Sequence, residues 1–233
     1  MKFLSPLDPS GTSAPDLVFR RLRDAITTGE LAPGDRLPPE QELARHLGVS
    51  PMTVRTALVV MRDMGFMTAS RGRNGGNFIA TDIGERLADA ARRLKLSRAE
   101  LRDLTDMRRA VSGEACALAA ERANAAYVED IRQAADLFDR LVGEFPAVRF
   151  ADARFHILIA EASQSARLLE NEIAIQTELT DFILSATKAI SKGIAAYDHG
   201  PILRAILAGK PDAARAAMIV HAEDTFKWST AVI

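Results

Sequence analysis

The chain has 233 residues, 48% of them apolar, and its 30 Lys/Arg against 31 Asp/Glu leave a net charge of -1. That length and that apolar share suit two small domains, each with its own core. The single cysteine, Cys116, excludes an intrachain disulfide and fits a reducing compartment. No run nears the roughly 18 apolar residues of a membrane span, and the opening MKFLSPLDPSG lacks a long apolar leader core, so the expectation is a cytoplasmic protein with no membrane partner.

The even balance hides a gradient. Residues 1–81 hold 10 Lys/Arg and 8 Asp/Glu, or +2, while residues 82–233 hold 20 and 23, or -3. Residues 41–81 alone hold 5 and 2, or +3. Positive charge therefore collects in one short stretch, which is where a polyanion would be met.

Residues 1–14, rich in Pro, Ser and Gly, read as a flexible tail. From Pro15 a helical spacing of Leu17, Val18, Leu22, Ala25 and Ile26 runs to Gly29. A connector with three prolines follows, then a helix over about 39–47 with Leu43, Ala44 and Leu47 on one face. Gly48 makes the turn. Ser50 caps a third helix with Pro51 in its first position, and Val54, Ala57, Leu58 and Met61 form the inner stripe. Two short extended runs, FMTAS and NFIAT, flank the loop RGRNGG. Two helices joined by a glycine turn, followed by a hairpin, predict a winged helix-turn-helix over residues 15–81.

Such a motif lays its second helix in the major groove of double-stranded DNA. The face of that helix opposite its core stripe carries Met52, Thr53, Arg55 and Thr56, with the Ser50 cap at its tip. Hydroxyls can bond bases or phosphate, and arginine can bond phosphate or fork onto guanine. Arg45 lies on the preceding helix. Arg71, Arg73, Asn74 and Gly75 lie in the hairpin loop, where cations on a glycine-rich backbone suit a narrow minor groove.

Beyond residue 81 the strand-like alternation stops. Amphipathic segments, rich in Ala and Leu, cover about 83–94, 97–124, 127–143, 147–162, 166–190, 199–208 and 212–229. The first of these lies in a linker helix over 82–96, and the rest form an all-α bundle over 97–233. The fold class is therefore mainly α, with an N-terminal winged helix-turn-helix and a C-terminal helical bundle.

Three of the four histidines fall in the bundle. Asp152 and His156, four apart, share a face of one helix. With His199 and His221 from two other helices they can close a site of one carboxylate and three imidazoles. That set suits a divalent ion, with zinc, nickel, manganese and iron all compatible.

The run GELAPGDRLPPEQELARHLGVSPMTVRTALVVMRDMGFMTASRGRNGGNFIA resembles the N-terminal domain of GntR-family transcription regulators. The fixed positions are Gly29, Leu31, Pro33, Gly34, Leu37, Pro38, Glu40, Leu43, Ala44, Gly48, Val49, Ser50, Val54, Arg55, Ala57, Leu58, Gly65, Gly72 and Phe78. The helical half resembles the FadR subfamily, whose domain binds an effector and dimerises. Three segments are similar to the ligand segments of its metal-binding members: Asp152-Ala-Arg-Phe-His156, Asp198-His199 through Ile206, and Ala217-Met218 through His221. Arg108 matches an arginine that faces the effector pocket and can fork onto a carboxylate.

The resemblance implies a homodimeric, metabolite-responsive regulator, with repression the commoner role, taking a small carboxylate beside a divalent metal ion, of which zinc leads. Gln41 and Pro51 replace arginines that contact operator DNA in the family, and Thr56 replaces a frequent glutamate. Base reading therefore shifts toward Thr53, Arg55 and the wing. In the bundle, Ser112 stands where the family has glutamate, and Ser165 where it has asparagine. The alternative from another class is a metal-dependent hydrolase using the same four residues to activate water.

Overall fold

Ser13 opens the first helix by accepting a hydrogen bond from the Asp16 backbone N–H, with Pro15 in the first turn. The computed structural model describes residues 2–4, 7, 13–72, 75–91, 96–185 and 198–231, and divides into two units, Met1–Ala90 and Ala91–Ile233.

The first unit contains α1 (Ala14–Thr27), α2 (Glu40–Leu47), α3 (Pro51–Asp63), β1 (Met67–Ser70), β2 (Gly76–Ile79) and α4 (Ile83–Ala91). α2 ends because Gly48 adopts a left-handed backbone, φ 70° and ψ 28°, which reverses the chain for three residues before α3. Ser50 caps α3 by accepting from the Thr53 backbone N–H. The three inner stripes, Val18, Leu22 and Ile26 of α1, Leu43 and Leu47 of α2, and Val54, Leu58 and Met61 of α3, are all buried. β1 and β2 pair antiparallel with Met67 opposite Ile79 and Ser70 opposite Gly76. Arg36 bridges Phe78 across the other edge of β2. The wing is thus held on both sides.

The opening residues depart from the flexible tail expected over 1–14. Lys2–Leu4 form a 3-10 turn, Phe3 is 2% exposed, and its N–H donates to the Glu30 carboxylate. One aromatic buried against helices outweighs the loop-like composition around it.

The second unit contains α5 (Arg98–Arg122), α6 (Ala125–Arg140), α7 (Ala147–Ala162), α8 (Ala166–Ser185), α9 (Gly200–Leu207) and α10 (Pro211–Thr230). Ser97 and Glu100 close a reciprocal capping box at the start of α5. α5 lies along α10, and α7 packs against α5, α6 and α8. In α7 all of the 16 residues except Ala147, Arg154 and Glu161 are buried. A helix apolar on nearly every side belongs at the centre of its neighbours, and alanines at 134, 135, 162, 205, 214 and 222 let those neighbours close in. The linker helix expected over 82–96 is described to Ala91, and residues 92–95 lie outside the described residues, as do residues 186–190 of the segment expected to reach 190. Among the described residues no helix is long and apolar enough to cross a membrane.

Candidate functional site

Two groups of residues face outward and inward, respectively. On the first unit, Met52, Arg55 and Thr56 are exposed on α3, Thr53 is half-buried, and Arg45 is exposed on α2. On α3 the hydroxyls and one arginine nitrogen make local hydrogen bonds. Ser50 Oγ lies 2.8 Å from Thr53 Oγ1, and Thr56 Oγ1 donates to the Met52 carbonyl at 3.0 Å. Arg55 Nε donates to Glu40 Oε2 at 3.0 Å, although its side chain stays 60% exposed. Arg71 is exposed at the wing, while Arg73 and Asn74 lie outside the described residues. Gly75 has a local reason to be glycine: a Cβ there would sit 2.4 Å from the Ser70 carbonyl oxygen.

Two arginines that the sequence reading did not single out brace the wing. Arg36 Nη2 donates to the Gly75 carbonyl at 2.6 Å, and Arg62 Nη1 donates to Asn77 Oδ1 at 2.9 Å. Their partners lie 39 and 15 residues away, so local spacing carries no sign of them.

Inside the second unit, Asp152, His156, His199 and His221 each present a ligand atom, and those atoms lie within 4.8 Å of one another. All four are buried, from 2% exposed for Asp152 and His156 to 7% for His221. Asp152 and His156 come from adjacent turns of α7, His199 stands at the N-cap of α9, and His221 lies midway along α10. The His199 ring is clamped by Phe155, centroids 4.3 Å apart, and by Phe138 at 4.5 Å with its edge turned. Phe155 is therefore core packing that also orients a ring of the cluster.

Several buried polar atoms here lack hydrogen bonds. Neither ring nitrogen of His199 makes one, nor does Asp152 Oδ1. His199 Nε2 comes within 3.0 Å of Asp152 Oδ1, off the axis a hydrogen bond needs. Buried polar atoms left this way cost free energy unless something else binds them. A metal ion about 2.1 Å from each ligand holds opposed ligands about 4 Å apart, close to the spread observed, so the residues fit a divalent ion.

Charge agrees with that donor set. Burial, then the nearby Arg108 guanidinium, pushes both His156 and His221 well below the usual imidazole range, so both are neutral, the form that ligates. Burial pushes the Asp152 carboxyl up, yet Arg149, His199 and His156 hold it well below the carboxylate range.

Around the cluster runs a polar network that spacing did not reveal. Arg149, 1% exposed, bonds Asp152 Oδ2 and donates through Nη2 to the carbonyl and Oε1 of Gln176. Gln176 Nε2 donates to Glu172 Oε1 at 2.7 Å, and Ser112 Oγ donates to Glu172 Oε2 at 2.6 Å. Burial raises the Glu172 carboxyl above the ordinary range, against the pull of those two hydrogen bonds and of Arg108 and Arg149. Arg108 is 3% exposed, with Nη1 donating to Thr225 Oγ1 and Nη2 to His156 Nε2, each at 3.0 Å. No carboxylate of the described residues lies within ion-pairing distance of Arg108, and its Nε makes no hydrogen bond. Cys116 is buried among apolar neighbours, and its thiol is pushed up by burial, which leaves it unreactive.

Residues 16–74 match the bacterial regulatory proteins of the gntR family, and residues 103–224 match the FCD domain. The chain belongs to the GntR family of transcriptional regulators and carries an FCD domain. It is 33% identical over 212 residues to a Mycobacterium gastri protein named as HTH-type transcriptional regulator RmpR, across 88% of this chain and 76% of that one. It is 30% identical over 204 residues to the HTH-type transcriptional regulator LutR of Bacillus subtilis, across 84% and 92%. The solved structure of Escherichia coli McbR/YncC shares the fold, with a TM-score of 0.56 at 17% identity over 94% of this chain and 98% of that one. GntR-FCD proteins are regulators and not enzymes, so the hydrolase alternative has no support.

Proposed function

We propose that this GntR-FCD regulator represses transcription as a cytoplasmic homodimer on a near-palindromic operator, and that a small carboxylate entering beside a divalent metal ion changes its affinity for that DNA. Asp152, His156, His199 and His221 would hold the ion, zinc before nickel, manganese or iron. When bound, the ion supplies a Lewis-acid charge that attracts an anionic oxygen. Arg108 would grip the carboxylate.

The observation that carries this reading is the imbalance of buried charge. Arg108 and Arg149 are both buried, and among the described residues Arg108 has no carboxylate within ion-pairing distance, whereas Arg149 is paired with Asp152. Adding a dication deepens the positive excess, and a buried excess of that kind demands an anion. Arg149 already has Asp152, so the unmatched cation is Arg108. A relative in Escherichia coli, 30% identical over 217 residues, is named for the regulation of an L-lactate dehydrogenase operon, and lactate is a small hydroxycarboxylate. Two-fold symmetry in a dimer matches two half-sites, and the effector would need different affinities for the two arrangements it selects between.

Elemental analysis of untagged protein should find about one divalent ion per chain. A thermal-shift screen of carboxylates and sugar acids should then raise the melting point only when metal is present, since a ligand of the folded state stabilises by mass action. No stoichiometric metal, together with a His156→Ala variant that melts like the parent, would remove the metal centre.

A further inference from the structure

Met52 is 64% exposed, more than any other large apolar side chain among the described residues, and it stands in the second position of α3. No described residue of the first unit covers that side chain. The hydroxyls beside it are turned onto near neighbours. The Ser50 and Thr53 hydroxyls face each other at 2.8 Å, the Thr56 hydroxyl is turned onto the Met52 carbonyl, and Arg55 gives its Nε to Glu40 while its side chain stays 60% exposed. Pro51, also exposed, has no N–H to give. Met52 and Pro51 therefore present apolar surface at the start of the helix, in the stretch of the chain that carries +3 and that also exposes Arg45 and Arg71. Apolar surface at the start of a helix in a basic stretch matches duplex DNA approached through the major groove, where one base shows a methyl group. That base is thymine, whose C5-methyl is the apolar feature of the groove.

We infer that Met52 reads a thymine in each operator half-site by packing against its C5-methyl group, with Pro51 closing water off beside it. The inference rests on the operator-binding reading above. It makes the first contact of the recognition helix hydrophobic and leaves hydrogen-bonded readout to residues deeper along α3 and to the wing.

The test uses the full chain. Bound duplexes are selected from a random library, and each thymine of the enriched half-site is then replaced by deoxyuridine, which removes the methyl alone. One position should weaken binding about fourfold per half-site, the worth of one buried methyl group. Met52→Ala should bind thymine and deoxyuridine at that position equally, while Met52→Leu should keep the preference. Because Met52 is exposed, neither variant endangers the fold. An enriched operator at which the parent does not distinguish thymine from deoxyuridine overturns the inference, as does a Met52→Ala variant that keeps the full preference. Enrichment of no sequence at all overturns the operator reading itself, and this inference with it.

Discussion

The two halves of this chain handle arginine in opposite ways. Arg55 lies 60% exposed on α3 and is held by a partly exposed carboxylate, whereas Arg108 and Arg149 are 3% and 1% exposed inside a helical bundle. An exposed pair of that kind is worth little in water and is easily exchanged for another partner. A buried arginine cannot be left so loosely matched, because its charge must be met within the fold or by a ligand. The first unit therefore leaves its arginine open to a change of partner, while the second holds its arginines fixed among buried polar groups.

The largest expected effect tests the surface half. Affinity for operator DNA should fall about a thousandfold between 50 and 200 mM salt, as counterion release requires for several phosphate contacts; a flat response in an anisotropy titration would break the contrast. Next comes the buried half. Arg149→Met removes the guanidinium from Asp152 and Gln176, and should cost about 3–5 kcal/mol in a denaturant titration. A loss below 1 kcal/mol would mean that Arg149 is not buried as described. Smaller still, Arg55→Ala should weaken DNA binding about tenfold. An equal loss on operator and unrelated DNA marks a phosphate contact, and a loss confined to the operator marks a base contact.

The mildest effect is one of pH. Burial and Arg108 keep His156 and His221 neutral in the fold, while an imidazole of the unfolded chain titrates near 6.5. Below that pH the unfolded chain takes up protons that the folded chain refuses, so stability falls as pH falls. Chelator-stripped protein should lose several degrees of melting point between pH 7 and pH 5, and a His156→Gln, His221→Gln double variant should show a flatter profile.

The same contrast governs what the sequence could disclose. The winged helix was legible because its signals are local: the Ser50 cap, Pro51 behind it, the Gly48 turn and the stripe from Val54 to Met61 all act within a few residues. The Asp152–His156 pair was legible for the same reason, being one helical turn. His199 and His221 could be added from the sequence as candidates, and the family resemblance strengthened that grouping, since only the packed bundle brings them near. Arg149, Gln176 and Glu172 were not singled out, because their hydrogen bonds span up to 60 residues. One partial sign was available: α7 has almost no polar face, so most of its positions turn inward, Arg149 among them, while Arg154 stays partly exposed. Phe3 was missed in the opposite direction, as a lone aromatic among residues that read as a loop.

The contact between Ser112 and Glu172 bears on how relatives of this protein should be compared. The family resemblance leads one to expect a carboxylate at position 112, and a comparison made column by column would record it as lost. In three dimensions a carboxylate is still there, 2.6 Å from the serine hydroxyl, supplied by α8 instead of α5. Relatives should therefore be compared by position in space as well as by position in sequence.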